Sequence, residues 1–245
     1  MKALVTRPVE DAAPVIRALG ERGIETVLAP MLIIRSVADA ERHLSETLAS
    51  AQAVLFTSAN GVRAFAAASP RRELPAFAVG DATAAAARIA GFRSVLSAGG
   101  DVEDLAELVK ARLSPQGGAL VHAAGTNVAG DLAGALTPLG FTLHRTLLYE
   151  AVPASAPDPA AVAALNRGEV GLALFFSPRT AASFATLAAA AGVAGACRSM
   201  AAFALSAAVA AALERLAWRA VRVAAAPTQR DLLAALDAHL AESKE

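Results

Sequence analysis

Short apolar runs alternate with Ala-rich segments of helical period along the whole chain. The runs are ALVT (from Ala3), ETVLAP (from Glu25), AVLFTS (from Ala53), AFAVG (from Ala76) and SVLSA (from Ser94). They continue with GALVHAAG (from Gly118), FTLHRTLLYEAV (from Phe141), LALFFS (from Leu172), AAFALS (from Ala201) and AVRVAAAP (from Ala220). The pattern predicts about ten strands with helices of ordinary length between them. The runs are continuous rather than alternating, which predicts parallel strands buried on both faces.

The pattern also repeats. LFTSANGVRAF (Leu55–Phe65) matches LFFSPRTAASF (Leu174–Phe184), and AFAVGDATAAAA (Ala76–Ala87) matches AFALSAAVAAAL (Ala202–Leu213). VLSAGGDVEDLAEL (Val95–Leu108) matches VAAAPTQRDLLAAL (Val223–Leu236), and ALVTRP (Ala3–Pro8) matches ALVHAAG (Ala119–Gly125). Each pair keeps strand, polar seam and helix in one order, so the expected fold class is α/β with two similar domains, each a five-stranded parallel sheet flanked by helices. The domains are not sequential. Residues 1–33 plus 153–245 are expected to form domain 1 and residues 37–146 domain 2. Two crossover strands, 30–36 and 146–155, join them, and the second is Pro- and Ala-rich (VPASAPDPA). A ligand cleft is expected between the domains.

Composition narrows the function. Hydrophobic residues make up 56% and charged residues 18% of 245, with a net charge of zero. A sizeable core follows, and no basic run points to nucleic acid or a membrane surface. One cysteine, Cys197, excludes an internal disulfide and reads as a small apolar filler. The start, MKALVTRPVED, has no apolar secretory core, so a cytoplasmic protein is expected. The four histidines, His43, His122, His144 and His239, lack metal-ligand spacing, and no metal site is expected. His122 ends a strand and is a candidate to line the cleft.

The strand ends carry the candidate chemistry, because ligands of parallel α/β sheets bind beyond the carboxyl ends of the strands. They read Thr6-Arg7, Thr57-Ser58-Asn60, Gly80-Asp81-Thr83, Ser97-Gly99-Gly100, Gly125-Thr126-Asn127, Ser177-Arg179, Ser206 and Pro227-Thr228-Gln229. Such residues serve first as helix N-caps. The same seams offer N–H and O–H donors to an anionic ligand. GxSxG, Walker A, GxGxxG and HExxH motifs are absent. Tyr149, the only tyrosine, lies in the second crossover, where a phenol can donate to a ligand or simply pack at a boundary.

LVTRP, LFTSANGV, AVGDAT (Ala78–Thr83), LLYEA (Leu147–Ala151), LFFSP and AAPTQRDLLAAL (Ala225–Leu236) together resemble the uroporphyrinogen-III synthase family over nearly the whole chain. The resemblance implies a cofactor-free monomer that cyclises hydroxymethylbilane, a linear tetrapyrrole with eight carboxylates. It implies loss of the terminal hydroxyl as water, a spiro intermediate and inversion of ring D. Tyr149 is then the catalytic candidate, assisting hydroxyl loss as a hydrogen-bond donor. Thr6, Arg7, Thr57, Ser58, Asn60, Gly80, Thr83, Gly125, Ser177, Pro178, Ser206 and Thr228 are the candidates for substrate binding. Two places depart from the family pattern. Ser206, Ala208 and Val209 stand where a glycine and two threonines are expected, and Ala129, Gly130 and Asp131 where an arginine is expected. Each removes a carboxylate donor. Two other readings remain open: a catalytically weak relative that binds a tetrapyrrole or other polycarboxylate as a regulator, and a two-domain solute-binding protein.

Overall fold

The computed structural model describes residues 1–127 and 130–242. The chain divides into two compact units, Met1–Ile33 with Val152–Glu245, and Ile34–Ala151. The first opens with β1 (Lys2–Val5), α1 (Val9–Gly20), β2 (Glu25–Leu28) and β3 (Leu32–Ser36), the last running on into the second. The second unit continues with α2 (Ala40–Leu48), β4 (Ala51–Phe56), α3 (Ala59–Ala68), β5 (Ala76–Ala78), α4 (Asp81–Ile89) and β6 (Val95–Ser97). Then come α5 (Val102–Arg112), β7 (Ala119–Gly125), α6 (Leu132–Leu136) and the long β8 (Leu143–Pro153). The chain finishes with α7 (Pro159–Asn166), β9 (Val170–Phe175), α8 (Pro178–Ala190), β10 (Ala201–Ala204), α9 (Ala207–Leu213), β11 (Ala220–Val223) and α10 (Gln229–Glu242).

The first sheet has the order β11-β10-β9-β1-β2 and is parallel throughout. The second has the order β3-β8-β7-β4-β5-β6. Without β3 the two orders superimpose strand for strand, β2-β1-β9-β10-β11 on β8-β7-β4-β5-β6. The second sheet thus has six strands where five were expected, because the crossover strand β3 lies beside β8 at its edge. Val37 N donates to Leu148 O at 3.1 Å and Ala154 N to Met31 O at 3.0 Å, so numbers rise on one strand as they fall on the other: this edge is antiparallel.

Burial explains the unbroken apolar runs. Leu4, Ala173, Phe175 and Ala202 pack in one core of the first unit; Ala3, Val5, Leu172, Leu174 and Phe203 pack in another. In the second unit Val54, Phe56, Val121 and Ala123 face one core while Ala53, Leu55 and Leu120 face the other. Successive residues point to opposite faces of a strand, and here both faces are covered. Each fully buried Phe or Leu contributes about 1.5–3 kcal/mol relative to exposure.

The duplication extends to the packing. Phe56 meets Phe65 edge-on at 5.7 Å between ring centroids, and their repeat partners Phe175 and Phe184 meet at 5.3 Å. In the second unit Arg72 adds a clasp. Its guanidinium lies 5.3 Å from the Phe92 ring centre and donates to the carbonyls of Ser69 (2.6 Å) and Ala90 (2.7 Å), where α3 and α4 end. These oxygens lack helical partners, and the arginine supplies them.

Helix α3 seats on β7 by a close approach at Gly61. A methyl group there would fall 2.5 Å from the carbonyl oxygen of Ala123. Gly61→Ala gains helix propensity of up to about 1 kcal/mol, but the backbone contact must open. The expected result in urea titration is a net loss of about 1–2 kcal/mol, with no change in the denaturant slope.

Candidate functional site

Strand order in the second sheet reverses between β7 and β4: from β4 the chain goes outward through β5 and β6, and β7 starts the other half beside it. Such a reversal leaves the carboxyl ends of two neighbouring strands open, because their following helices leave to opposite faces. Thr57 and Ser58 follow β4 there, and Gly125 ends β7.

Ser58 is the N-cap of α3. Its extended backbone (φ −158°, ψ 155°) lets Oγ accept the Gly61 N–H at 3.0 Å. The same oxygen lies 2.8 Å from the phenol oxygen of Tyr149. Whichever hydroxyl donates in that bond, the other keeps one O–H to give elsewhere. Tyr149 reaches this place through a register shift. Ala124 pairs with Leu147, but Gly125 pairs with Tyr149, so β8 carries one extra residue. The ring then lies over Gly125, where an added methyl group would stand 2.6 Å from Cζ. Thr126 N donates to Tyr149 O at 3.1 Å and locks the end of the ladder.

The same strands carry a second polar group. The ring of His122 on β7 has Nε2 3.0 Å from Thr57 Oγ1. Arg145 on β8 donates Nη2 to the carbonyls of Gly125 and Thr126, each at 3.0 Å. His122 is buried, and burial together with the charge of Arg145 pulls its pKa down to about 4. At neutral pH it is therefore an uncharged imidazole. Asn60 accepts from Arg63 Nη2 at 2.7 Å.

Gly80 caps α4 with its carbonyl accepting from Ala84 N at 2.9 Å, and Thr83 is buried in the first turn of that helix. The structure thus groups Thr57, Ser58, Gly125 and Tyr149 directly. Asn60 joins them through the start of α3, and Gly80 and Thr83 stand at the next strand end.

The first unit has the same reversal between β1 and β9. Thr6 is fully buried there and donates its hydroxyl to Leu174 O at 2.8 Å, so it faces the interior rather than a ligand. The guanidinium of Arg7 stacks 4.5 Å over the Phe176 ring and reaches Gln229 Oε1 at 3.4 Å. Burial lowers its pKa while Asp11 works the other way. Ser177 caps α8, accepting from Thr180 N at 3.2 Å, with Pro178 at the first helical position. Ser206 caps α9 and accepts from Val209 N at 3.4 Å. Thr228 accepts from Asp231 N at 3.1 Å and donates to the Asp231 carboxylate. Of the departures noted in the sequence, Val209 is buried, Gly130 has a left-handed φ of 73° and Asp131 caps α6. Ala129 lies outside the described residues.

A cavity of about 660 Å³ lies elsewhere in the second unit. Ser36, Val37, Asp39, Arg42, Ala64 and Leu148 line it, and neither Ser58 nor Tyr149 does. Cys197 is buried, with its thiol pushed up to about 11 by burial. Among the described residues no group of three or more His, Cys, Asp or Glu side chains could hold a metal, and no helix is long and apolar enough to cross a membrane.

Fold and site together define a duplicated parallel α/β protein in which a strand-end serine of the second unit meets a buried tyrosine. The uroporphyrinogen-III synthase HemD model matches residues 13–234, and the chain belongs to that family. Uroporphyrinogen-III synthetase of Helicobacter pylori is similar with a TM-score of 0.62 at 15% identity, covering 100% of this chain and 99% of that one. A mutant uroporphyrinogen III synthase of Thermus thermophilus has a TM-score of 0.51 at 20% identity, covering 100% of each chain. At these identities the likeness shows the fold. No curated protein sequence matches the chain.

The buried imidazole makes stability depend on pH. An unfolded histidine binds a proton below about 6.5, whereas folded His122 does so only near 4. Its contribution is therefore full above pH 6.5 and is lost as pH falls towards 4, by up to about 3 kcal/mol. His239, also lowered chiefly by burial, adds to the slope in the same direction. Comparing thermal midpoints of wild type and His122→Leu from pH 7 to pH 4 isolates the His122 share, which the variant should lack.

Proposed function

We propose that the chain converts hydroxymethylbilane into uroporphyrinogen III, with water as the other product. The observation that carries this reading is the Ser58–Tyr149 hydroxyl pair at the sheet's reversal point, 2.8 Å apart. The reaction begins with departure of a hydroxyl, which needs a proton or a strong hydrogen bond as its C–O bond breaks. The phenol O–H can serve as that donor. The pair always has one O–H to offer, and Gly61 N–H holds Ser58 in place while it does so.

Loss of the hydroxyl leaves an azafulvene cation. The substituted carbon of ring D attacks it to give the spiro intermediate, which fragments and recloses with ring D inverted. A proton finally leaves the carbon that closed the ring, balancing the one taken up by the departing hydroxyl. Spontaneous closure omits the inversion, so the protein's task is to favour one geometry. Thr57, Ser58, Asn60, Gly80, Thr83 and Gly125 in the second unit are assigned to hold substrate carboxylates, with Arg7, Ser177, Pro178, Ser206 and Thr228 in the first. Helix N-termini suit that task, since their N–H groups are unpaired and their dipoles favour anions. The reading carries with it a cytoplasmic monomer acting on a small-molecule tetrapyrrole without cofactor, nucleic acid or membrane.

Family membership and the built Ser58–Tyr149 pair favour this over a non-catalytic polycarboxylate binder, although Ala208 and Val209 offer no hydroxyl at the start of α9. The test is turnover of freshly made hydroxymethylbilane, followed by oxidation and chromatographic separation of isomers III and I. Isomer III should exceed the spontaneous background, and Tyr149→Phe should slow its formation by at least about tenfold with an unaltered circular dichroism spectrum. A folded wild type giving only isomer I would refute the reading.

A further inference from the structure

Sheet register makes His122 unlike its counterpart. Leu55 pairs with His122 across β4 and β7, and Leu174 pairs with Val5 across β9 and β1. Leu55 and Leu174 are equivalent in the repeat, so His122 stands where the first unit has Val5. By the same repeat Thr57 stands where the first unit has Phe176. Packing at this place is satisfied by Val5 and Phe176, both apolar. The second unit instead buries an imidazole beside a half-buried hydroxyl at one strand-end reversal, at a desolvation cost that an apolar pair avoids.

We infer that His122 is a positioning residue for substrate binding: its Nε2–H donates to Thr57 Oγ1, so that Thr57 turns its own O–H to a substrate carboxylate. The inference rests on the function proposed above and deepens it. The oxygen–nitrogen distance of 3.0 Å is that of a good hydrogen bond. Direction decides what the hydroxyl can do. If Thr57 donated to the ring, its proton would be spent and a carboxylate would meet only lone pairs. When Thr57 accepts from the ring, its proton stays available and the bond it gives is strengthened.

The ring has one such proton to place because it is uncharged. Burial and Arg145 on β8, the charged group that faces it, both oppose a second proton. Arg145 in turn is anchored on the carbonyls of Gly125 and Thr126. The three side chains come from β8, β7 and the end of β4, the same elements that bring Tyr149 and Ser58 together. His122 touches no reacting atom; it acts through Thr57.

Two measurements test this. On wild-type protein labelled with ¹⁵N-histidine, the ring-nitrogen shifts of His122 at pH 7 report which nitrogen carries the proton. A protonated Nε2 in a neutral ring is expected. A proton on Nδ1 alone, or a charged ring, would overturn the inference whatever the kinetics. In the isomer III assay, His122→Leu should raise KM about tenfold with kcat within about threefold, and Thr57→Val should do the same. The double variant should be no worse than either single one, since both remove one bond. His122→Gln, whose amide N–H can replace the donor, should restore KM to within about twofold of wild type. Unchanged KM in the Leu variant, or effects that multiply in the double variant, would sink the inference while leaving the proposed function standing. A wild type that forms no isomer III would instead remove that function, and the carboxylate partner with it.

Discussion

The pairing of β4 with β7 is the constraint on which the second unit depends. Residues of these strands are far apart in sequence, yet Val54 lies beside Val121 and Leu55 beside His122. The sheet grows away from this seam in both directions. The helix after β4 can sit against β7 only because Gly61 brings no side chain to the Ala123 carbonyl. Once α3 is seated, Ser58 is fixed as its cap. Once β8 adds to β7 with its extra residue, Tyr149 is delivered over Gly125 to the same oxygen. A one-residue slip anywhere in this ladder would turn the phenol to the other face.

Helix capping alone accounts for most of the strand-end hydroxyls. Ser177 and Ser206 accept one backbone N–H each, a bond worth about 1 kcal/mol, and the fold requires such caps whether or not a ligand binds. Ser177 also meets a second hydroxyl, but that of Thr180 in its own helix, whereas Ser58 is joined by a phenol from another strand. Capping uses one lone pair of Oγ, and Tyr149 then makes a donor pair of what would otherwise be a structural serine. The ring adds little to the core that a phenylalanine would not, so the phenol oxygen at 2.8 Å from Ser58 is the part of this contact that packing does not explain.

Sequence alone shows the large features because they rest on local patterns. Continuous apolar runs mark strands covered on both faces, and the matched Phe56–Phe65 and Phe175–Phe184 spacings mark the duplication. Tyr149 stands out because it is the only tyrosine. What sequence leaves hidden depends on register. Thr6 looks like a strand-end ligand, but its hydroxyl turns inward to Leu174. His122 reads as a strand-end histidine of open role, and its partner Thr57 lies 65 residues away on a neighbouring strand. Arg145 and the bulge at Gly125 give no local signal, since neither has a neighbour in sequence that fixes its partner. The direct match of ALVT with ALVH also misleads. It aligns Thr6 with His122, whereas the sheet aligns Val5 with it.

That one-residue correction changes the comparison of the two halves. Duplication supplies the same reversal point twice, and the residues there have diverged in opposite directions. The first unit has the buried Val5, the half-buried Phe176 and a stacked guanidinium at Arg7 beside the Ser177 cap, so it holds one fixed positive charge there. The second has His122, Thr57, Ser58 and Tyr149, uncharged groups that give and accept hydrogen bonds. A cation holds a carboxylate but cannot assist a leaving hydroxyl by giving up a proton cheaply, since a guanidinium stays protonated at any working pH. Hydroxyls can donate along a breaking C–O bond, but bind a carboxylate more weakly than a charge does. The proposed substrate has many carboxylates and a single reacting hydroxyl. A hydroxyl donor aimed at the breaking bond is therefore needed only once. The loss of threonines at Ala208 and Val209 falls in the unit that has no phenol to pair with its capping serines.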